Sequence, residues 1–422
     1  MSIKIEEILT QDLQLGMFVS QLDRPWIETP FPMQGFHVRA QDDIDKLRVW
    51  CKHVYIDVQL GKGPLDFQAS PSMLSKGARA KVVSAGAVRG NLGKFTPTRY
   101  VVSSDIKKEV AKAAPHHREI TRAVVKLFNE ARDGKGVNFV VARKISRAVV
   151  ASILRNPDAM VWLARLKDKD SYSYNHSIRC AILAAVFGRH IGLQVDVLEN
   201  LVTGVLLMDI GNARLPRKLL STDEAELDAA DRRAIREHVQ HSLDILEAQD
   251  SVNDLVLGVV EYHHERHDGS GYPAGLQGTQ IPLLARIAGI VDTFDAITSP
   301  RPWIEARSST EAVSVLYSER DGAFQGKLVE QFIQSIGVYP TGTVVELSNQ
   351  EVGVVIAQNP SRRLRPQVMV VMDANKVNLS RPRVVDLLTV TTDDAGQPLM
   401  VASCVTAGSY QLDLSRIHVN AA

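Results

Sequence analysis

The sequence predicts a mainly α protein: an all-helical domain flanked by a small α+β N-terminal domain and a small β-rich C-terminal module. Three observations predict it. A long central stretch places apolar residues at three- and four-residue intervals. Both ends carry short β-branched and aromatic runs, separated by polar turn residues. At 422 residues the chain is long enough for two or three domains.

Residues 1–65 read as the α+β domain. "GMFVSQLDRPW" and "HVYIDV" have strand character, and "DDIDKLRVWC" between them fits a short helix. Residues 66–103 are rich in Ser, Gly, Pro, Lys and Arg without periodicity and read as a linker or mobile loop. Within them "FTPTRYVV" alternates and predicts one more strand. Residues 104–337 read as the helical domain. "REITRAVVKLFNEAR", "ARKISRAVVASILRN" and "DAMVWLARLKD" open it. Further helices are expected at Tyr172–Ile191, Asp196–Ile210, Ala229–Gln249, Val252–His264, Pro282–Thr298, Ser309–Ser318 and Lys327–Ile336. In the β-rich module, residues 338–422, "VELSNQEVGVVI" predicts a hairpin and "RPQVMVVMDA" another strand.

Hydrophobic residues make up 45% of the chain and charged residues 23%, as in ordinary globular proteins. A formal net charge of +1 gives no global field to draw nucleic acid or an anionic membrane. Cys51, Cys180 and Cys404 are scattered, with no CxxC pair, so neither a disulfide framework nor a thiolate zinc site is expected. The N-terminus lacks a signal-peptide core, and the apolar runs fall short of the ~18 residues that span a bilayer. A cytoplasmic protein without a membrane span is the expectation.

Seven of the twelve histidines fall between His176 and His267. His176 sits in "YSYNHSIR", His238 and His241 in "REHVQHS", and His263, His264 and His267 in "EYHHERHDGSGYP". Asp209 and Asp292 each follow a long apolar run and are expected to be buried. A buried carboxylate needs a cation or donors, and imidazole with carboxylate suits Zn, Fe or Mn. A blander role competes for each residue. Arg179, Arg266 and Arg286 are alternative partners for the aspartates, and His190, His241 and His267 read as surface or hydrogen-bonded histidines. Four histidines and two aspartates together on helices favour the metal.

"YSYNHSIR", "DIG", "HHERHDGSGYPAGLQGTQIP" and "ARIAGIVDTFDAITSPRPW" follow one another in the order of the HD-GYP domain, which this chain resembles. HD-GYP domains form a branch of the HD superfamily of metal-dependent phosphohydrolases. The resemblance covers roughly residues 140–340, about half the chain. "LQLGMFVSQLDRPWIETPF" also resembles an uncharacterised N-terminal domain that often precedes HD-GYP domains. The resemblance implies hydrolysis of cyclic di-GMP to pGpG or GMP at two divalent metals, Fe or Mn first and Zn as an alternative. It assigns His176, Asp209 and Asp292 to the first metal. Asp209 is then shared with a second metal held by His238, His263 and His264. A third metal is not expected, because Tyr172 stands where members with three metals carry glutamate. Arg286 and Arg301 are expected near phosphate. Gly271, Tyr272 and Pro273 form the loop through which members of the family meet diguanylate cyclase (GGDEF) domains.

The chain departs from the family's His-Asp-x-Gly-Lys in "MDIGN". Met208 replaces a ligand of the first metal, and a thioether is a poor donor to Fe or Mn. Asn212 replaces a lysine that contacts the scissile phosphate, and an amide carries no charge. Arg214 is the nearest candidate to restore it. Trp303 and Ile304 replace a tyrosine and a basic residue. Weaker occupancy of the first metal and reduced or lost hydrolysis are therefore expected, although three ligands and water can still hold a metal. Three readings follow: a slow cyclic di-GMP phosphodiesterase, an inactive nucleotide sensor or docking module, and a phosphohydrolase of another nucleotide. No receiver domain is recognisable.

Overall fold

The computed structural model describes residues 5–24, 29, 31, 36–38, 41–57, 88–92, 95–165, 172–223, 225–249, 251–300, 306–359, 364–405, 407–410 and 412. Most of the expected linker, and Arg301, Trp303 and Ile304, lie outside these residues, as does the Tyr172 side chain. The chain divides into two compact units, Met1–Arg79 and Ala80–Ala422.

In the first unit, β1 (Ile5–Leu9), β2 (Phe18–Leu22), β3 (Phe36–His37) and β4 (His53–Asp57) form an antiparallel sheet in the order β1-β4-β2-β3. Helix α1 (Gln41–Trp50) buries Ile44 and Leu47, one turn apart on one face. Val19, Leu22, Phe36, Val54 and Ile56 are the sheet's buried side chains among the described residues.

The second unit is helical up to Ile336. It runs through α2 (Ile106–Arg132), α3 (Phe139–Arg155), α4 (Pro157–Arg165), α5 (Tyr172–Ile191), α6 (Val195–Leu207), α7 (Arg217–Leu220) and α8 (Ala229–Arg236). It continues through α9 (His238–Glu247), α10 (Asp254–Tyr262), α11 (Leu283–Thr298), α12 (Ser309–Ser318) and α13 (Gly326–Ile336). Side-chain caps set several starts: Asp105 accepts from the Lys107 and Lys108 N–H groups, Asn253 accepts from Val256, and Ser308 with Glu311 forms a capping box. Helix α6 is buried from Val197 to Leu207 except at Glu199, which suits its central place. It packs on α3, α5 and α10, while α11 packs on α5 and α10.

Three expectations need correction. The single helix expected over Ala229–Gln249 is two, broken at Glu237, and the helix expected to reach Ile210 ends at Leu207. "FTPTRYVV" forms no strand. Its hydrogen bonds go to the turn between α5 and α6 instead: Thr98 N–H donates to Gly192 O (2.8 Å), the Tyr100 hydroxyl to Leu193 O (2.8 Å), and Arg189 to Tyr100 O (3.3 Å).

The C-terminal sheet is antiparallel in the order β8-β7-β6-β5-β9, with β5 (Val344–Leu347), β6 (Val352–Ala357), β7 (Gln367–Met372), β8 (Asn378–Asp386) and β9 (Val401–Val405). The expected hairpin is β5–β6. Strands β6 and β7 read as unbroken apolar runs because both faces are covered. Val352, Val354, Ile356, Met369 and Val371 pack with Ile106, Val110, Ala159 and Trp162 of α2 and α4. Val355, Val368 and Val370 pack with Val338, Tyr339, Val385 and Leu387. No described helix is long and apolar enough to cross a membrane.

Candidate metal centre

Helix α6 gives way at Met208, whose backbone is still helical. Asp209 (φ −99°, ψ 11°) then leads into a 3₁₀ turn, Ile210–Arg214. The turn lies directly on α9. A Cβ on Gly211 would fall 2.1 Å from the His238 carbonyl oxygen and 2.5 Å from the Ser242 nitrogen, so only glycine permits the approach. The Ser242 hydroxyl closes it, accepting from Gly211 N–H and donating to Met208 O, both at 2.8 Å. Asp209 is thereby set beside His238, the first residue of α9. Helix α10 ends at Tyr262, so His263 and His264 stand where it unwinds. Helix α11 approaches the same place at Gly289, where a Cβ would lie 2.8 Å from His263 O, and it carries Asp292 one turn on. His176 comes from α5.

These residues form two sets. Ligand atoms of Asp209, His238, His263 and His264 lie within 4.8 Å of one another, and so do those of His176, Asp209 and Asp292. Asp209 belongs to both. Its Oδ1 lies 3.4 Å from His238 Nε2 and its Oδ2 3.6 Å from His176 Nε2. His238 Nε2 is 3.5 Å from His263 Nε2, and His176 Nε2 is 3.0 Å from Asp292 Oδ1.

The outer ring nitrogens are committed elsewhere. His238 Nδ1 meets Ile235 O at 2.7 Å and His263 Nδ1 meets Val260 O at 2.8 Å. A carbonyl only accepts, so each Nδ1 carries the proton and each Nε2 turns a lone pair to the centre. Burial holds the His263 imidazole below its usual value. Burial, with His263 and His238 beside it, holds His264 well below, so both stay neutral, the ligating form. Burial would raise the Asp209 carboxyl, but the His176 hydrogen bond and the neighbouring imidazoles hold it well below the usual carboxylate range. Burial likewise opposes charging of His176. The carboxylates of Asp209, Asp292 and Asp295 outweigh it and hold the ring well above its usual value. A centre of imidazoles and carboxylates that attracts positive charge fits a divalent metal. Cys180, 3.6 Å from His176 Nδ1, is pushed by burial up to about 12 and stays a thiol.

Every ligand candidate named from the sequence joins one of the two sets. Asp209 and Asp292 keep side chains 15% and 14% exposed, which leaves the centre open on one side. Asn212 donates to Asp209 Oδ1 at 3.3 Å. Arg214 is exposed and meets Asp244 at 3.5 Å, away from the centre. Arg286 donates to Gln325 Oε1 at 2.5 Å. Of the arginines offered as partners of the buried aspartates, Arg179 pairs with Asp295, at 2.8 and 3.0 Å, and Arg266 donates to His263 O and Glu265 O.

Asp295 was not singled out from the sequence. It is fully buried and holds His176 Nδ1 at 2.8 Å. Its position, one turn after Asp292 on the same apolar helix, was the available signal.

An "HD domain" family model matches residues 162–328, "Domain of unknown function (DUF3391)" matches residues 5–142, and "KOW domain associated with HD domain" matches residues 344–392. A cyclic di-GMP phosphodiesterase of Pseudomonas aeruginosa is 32% identical over 385 residues, 91% of this chain and 89% of that protein. The chain belongs to the HD-GYP branch of the HD-domain family. A cyclic di-GMP phosphodiesterase response regulator of Xanthomonas campestris is 30% identical over 157 residues, 37% of this chain and 41% of that protein. A 3'3'-cGAMP-specific phosphodiesterase of Vibrio cholerae is 32% identical over 167 residues, 38% of this chain and 37% of that protein. The chain spans less than half the length of these last two.

The HD-GYP loop of this chain turns inward. Tyr272 N–H donates to His264 O at 3.3 Å, and the Tyr272 ring stacks on the His264 ring with centroids 4.7 Å apart and planes 23° apart. Gly271 and Tyr272 are partly buried, while Pro273 and Ala274 are exposed. A buried carboxylate anchors the loop: Glu265 accepts from the Ala274, Gly275 and Leu276 N–H groups at 2.7, 3.1 and 3.0 Å. Arg236 lies over Tyr272, 4.8 Å from the ring centroid. Neither is singled out in the sequence, where Glu265 lies inside "HHERHDGSGYP" and Arg236 opens "REHVQHS".

Proposed function

We propose that this HD-GYP chain is a metal-dependent phosphodiesterase of cyclic di-GMP, yielding pGpG or GMP, with activity reduced by Met208 and Asn212. The Asp209–His238–His263–His264 cluster carries this reading, because it offers one metal a full set of four donors. His176 and Asp292, sharing Asp209, offer a first metal only three. Two divalent metals at most are assigned, Fe or Mn, with Zn as the alternative.

Bound there, the cations would offset phosphodiester charge and acidify an attacking water. The chain's own residues prepare the place. Asp209 turns one oxygen to each set, and Asn212 fixes that carboxylate by donating to it. Carbonyls behind His238 and His263, and Asp295 behind His176, hold the rings in orientation. Tyr272 covers His264 and keeps bulk water from that side. Asn212 brings no charge to the scissile phosphate, and Arg214 is turned to Asp244. Arg286 and Arg301 are the further phosphate contacts assigned. A diguanylate cyclase (GGDEF) domain would meet the loop at Pro273 and Ala274, its exposed corner.

Met208 supports a second reading, an inactive sensor or docking module. It is fully buried where the family has a metal ligand. The test is hydrolysis with metal analysis on the purified chain beside a Met208→His, Asn212→Lys variant, with cyclic di-GMP and 3'3'-cGAMP as substrates. Slow turnover of cyclic di-GMP that rises at least tenfold in the variant supports the proposal. Nucleotide binding with one metal and no turnover supports the sensor, and preference for 3'3'-cGAMP would move the substrate.

A further inference from the structure

We propose that Arg236 is a ligand-binding residue of this site, held by Tyr272 and taking the non-scissile phosphate of a cyclic dinucleotide. The proposal rests on the phosphodiesterase reading and names the group that meets the ligand's other phosphate.

Arg236 ends α8, two residues before His238. Its guanidinium lies over the Tyr272 ring, and that ring stacks on His264. The contacts Arg236–Tyr272–His264 therefore run from solvent to the metal ligands. A guanidinium resting on an aromatic face keeps its N–H edge free for the two oxygens of a phosphate. Arg236 is exposed, and no described carboxylate pairs with it. Among the arginines weighed from the sequence, Arg214 faces Asp244, Arg179 holds Asp295, and Arg266 donates to His263 O and Glu265 O with Phe324 beneath it.

The position selects which phosphate. The scissile group belongs where Asp209 and Asp292 converge. Arg236 is set off from that point by a tyrosine ring, so it meets another part of the ligand. In a cyclic dinucleotide the anion available there is the second phosphate. A mononucleotide seated at the metals leaves Arg236 without a partner.

The test measures binding to the metal-loaded full chain. The probes are the phosphorothioate analogue of cyclic di-GMP, which resists hydrolysis, and GMP. Arg236→Ala is expected to weaken the cyclic probe by roughly 10- to 100-fold, the effect of losing a charge-assisted contact. GMP affinity and metal content should stay within twofold of wild type. The salt dependence of cyclic-probe binding should become shallower. Arg236→Lys should recover part of the loss, and Arg214→Ala should bind like wild type. Cyclic-probe affinity within twofold of wild type in Arg236→Ala overturns the proposal, as does an equal loss for GMP or a loss of metal. If the wild-type chain binds no cyclic di-GMP analogue, the phosphodiesterase reading falls and this assignment falls with it.

Discussion

Replacing Asp295 with asparagine tests how the first metal set is held. Oδ1 of Asp295 accepts from Arg179 Nε at 2.8 Å. Oδ2 faces Arg179 Nη2 at 3.0 Å, His176 Nδ1 at 2.8 Å and the Ser299 hydroxyl at 3.2 Å. Asparagine keeps the shape, removes the charge and turns one acceptor into a donor. The buried Arg179 would then face an amide. Removing one partner of a buried ion pair costs about 3–5 kcal/mol, against a total stability of roughly 5–15 kcal/mol. The pH dependence has a definite sign. Burial would raise the Asp295 carboxyl, but Arg179 and His176 hold it below its ordinary value of 3.8. A depressed native pKa contributes stability above the unfolded value and loses it as pH falls further. The gap between wild type and Asp295→Asn should therefore be full at pH 7 and narrow below about pH 4. Urea unfolding in chelator measures the gap, and metal titration should show affinity at the His176 set down by about 10–100-fold. Ser299→Ala, which removes one 3.2 Å hydroxyl contact, should cost only about 1 kcal/mol. An asparagine variant within 1 kcal/mol of wild type, with unchanged metal affinity, would refute the assignment of Asp295 as the group that holds His176.

Three further outcomes are expected. Gly211→Ala puts a methyl 2.1 Å from a backbone oxygen, so it should cost about 1–3 kcal/mol or more and lower metal affinity at the His238 set. A variant with wild-type melting and metal content would remove the reason given for that glycine. Glu265→Gln should lose at least one charge-assisted bond of about 1.5–3 kcal/mol, with faster amide hydrogen exchange at Ala274, Gly275 and Leu276. Unchanged exchange there would mean that the loop is held by other contacts. Burial pushes the Asp158 carboxyl, bonded to the Thr341 hydroxyl at 2.7 Å, up to about 6. A raised native pKa gives stability that is complete below about pH 4 and lost as pH rises through 6, so Asp158→Asn should flatten wild-type stability between those values. Parallel pH curves for the two proteins would contradict that.

Helix limits were legible both where one face of a helix meets the core, as in Ser309–Ser318, and where a helix is buried all round, as from His176 to Gly188. Tyr172–Ile191 and Ser309–Ser318 have the same limits in sequence and structure. The break at Glu237 was not legible, because no glycine or proline marks it. His238 turns its ring inward and bonds the Ile235 carbonyl, and that contact becomes visible only once α9 is seated on the turn at Gly211. "FTPTRYVV" failed for a related reason. Its alternation is real, but its hydrogen-bond partners are the turn residues Gly192 and Leu193, distant in sequence.

The metal candidates were legible because imidazoles and buried carboxylates are rare on apolar helices, and rarer still in one neighbourhood. The residues that aim them were not, because aiming is done by groups with ordinary surroundings in sequence: the carbonyls of Ile235 and Val260, one more aspartate, one more serine. This division also bears on Met208. Its carbonyl accepts from Ser242 whatever side chain it bears, so the turn that presents Asp209 does not depend on a histidine at this position. Exchanging histidine for methionine removes a donor while leaving the backbone that places Asp209 intact. The same independence means that Met208→His should add a donor beside a carboxylate already in place, rather than rebuild the site around it.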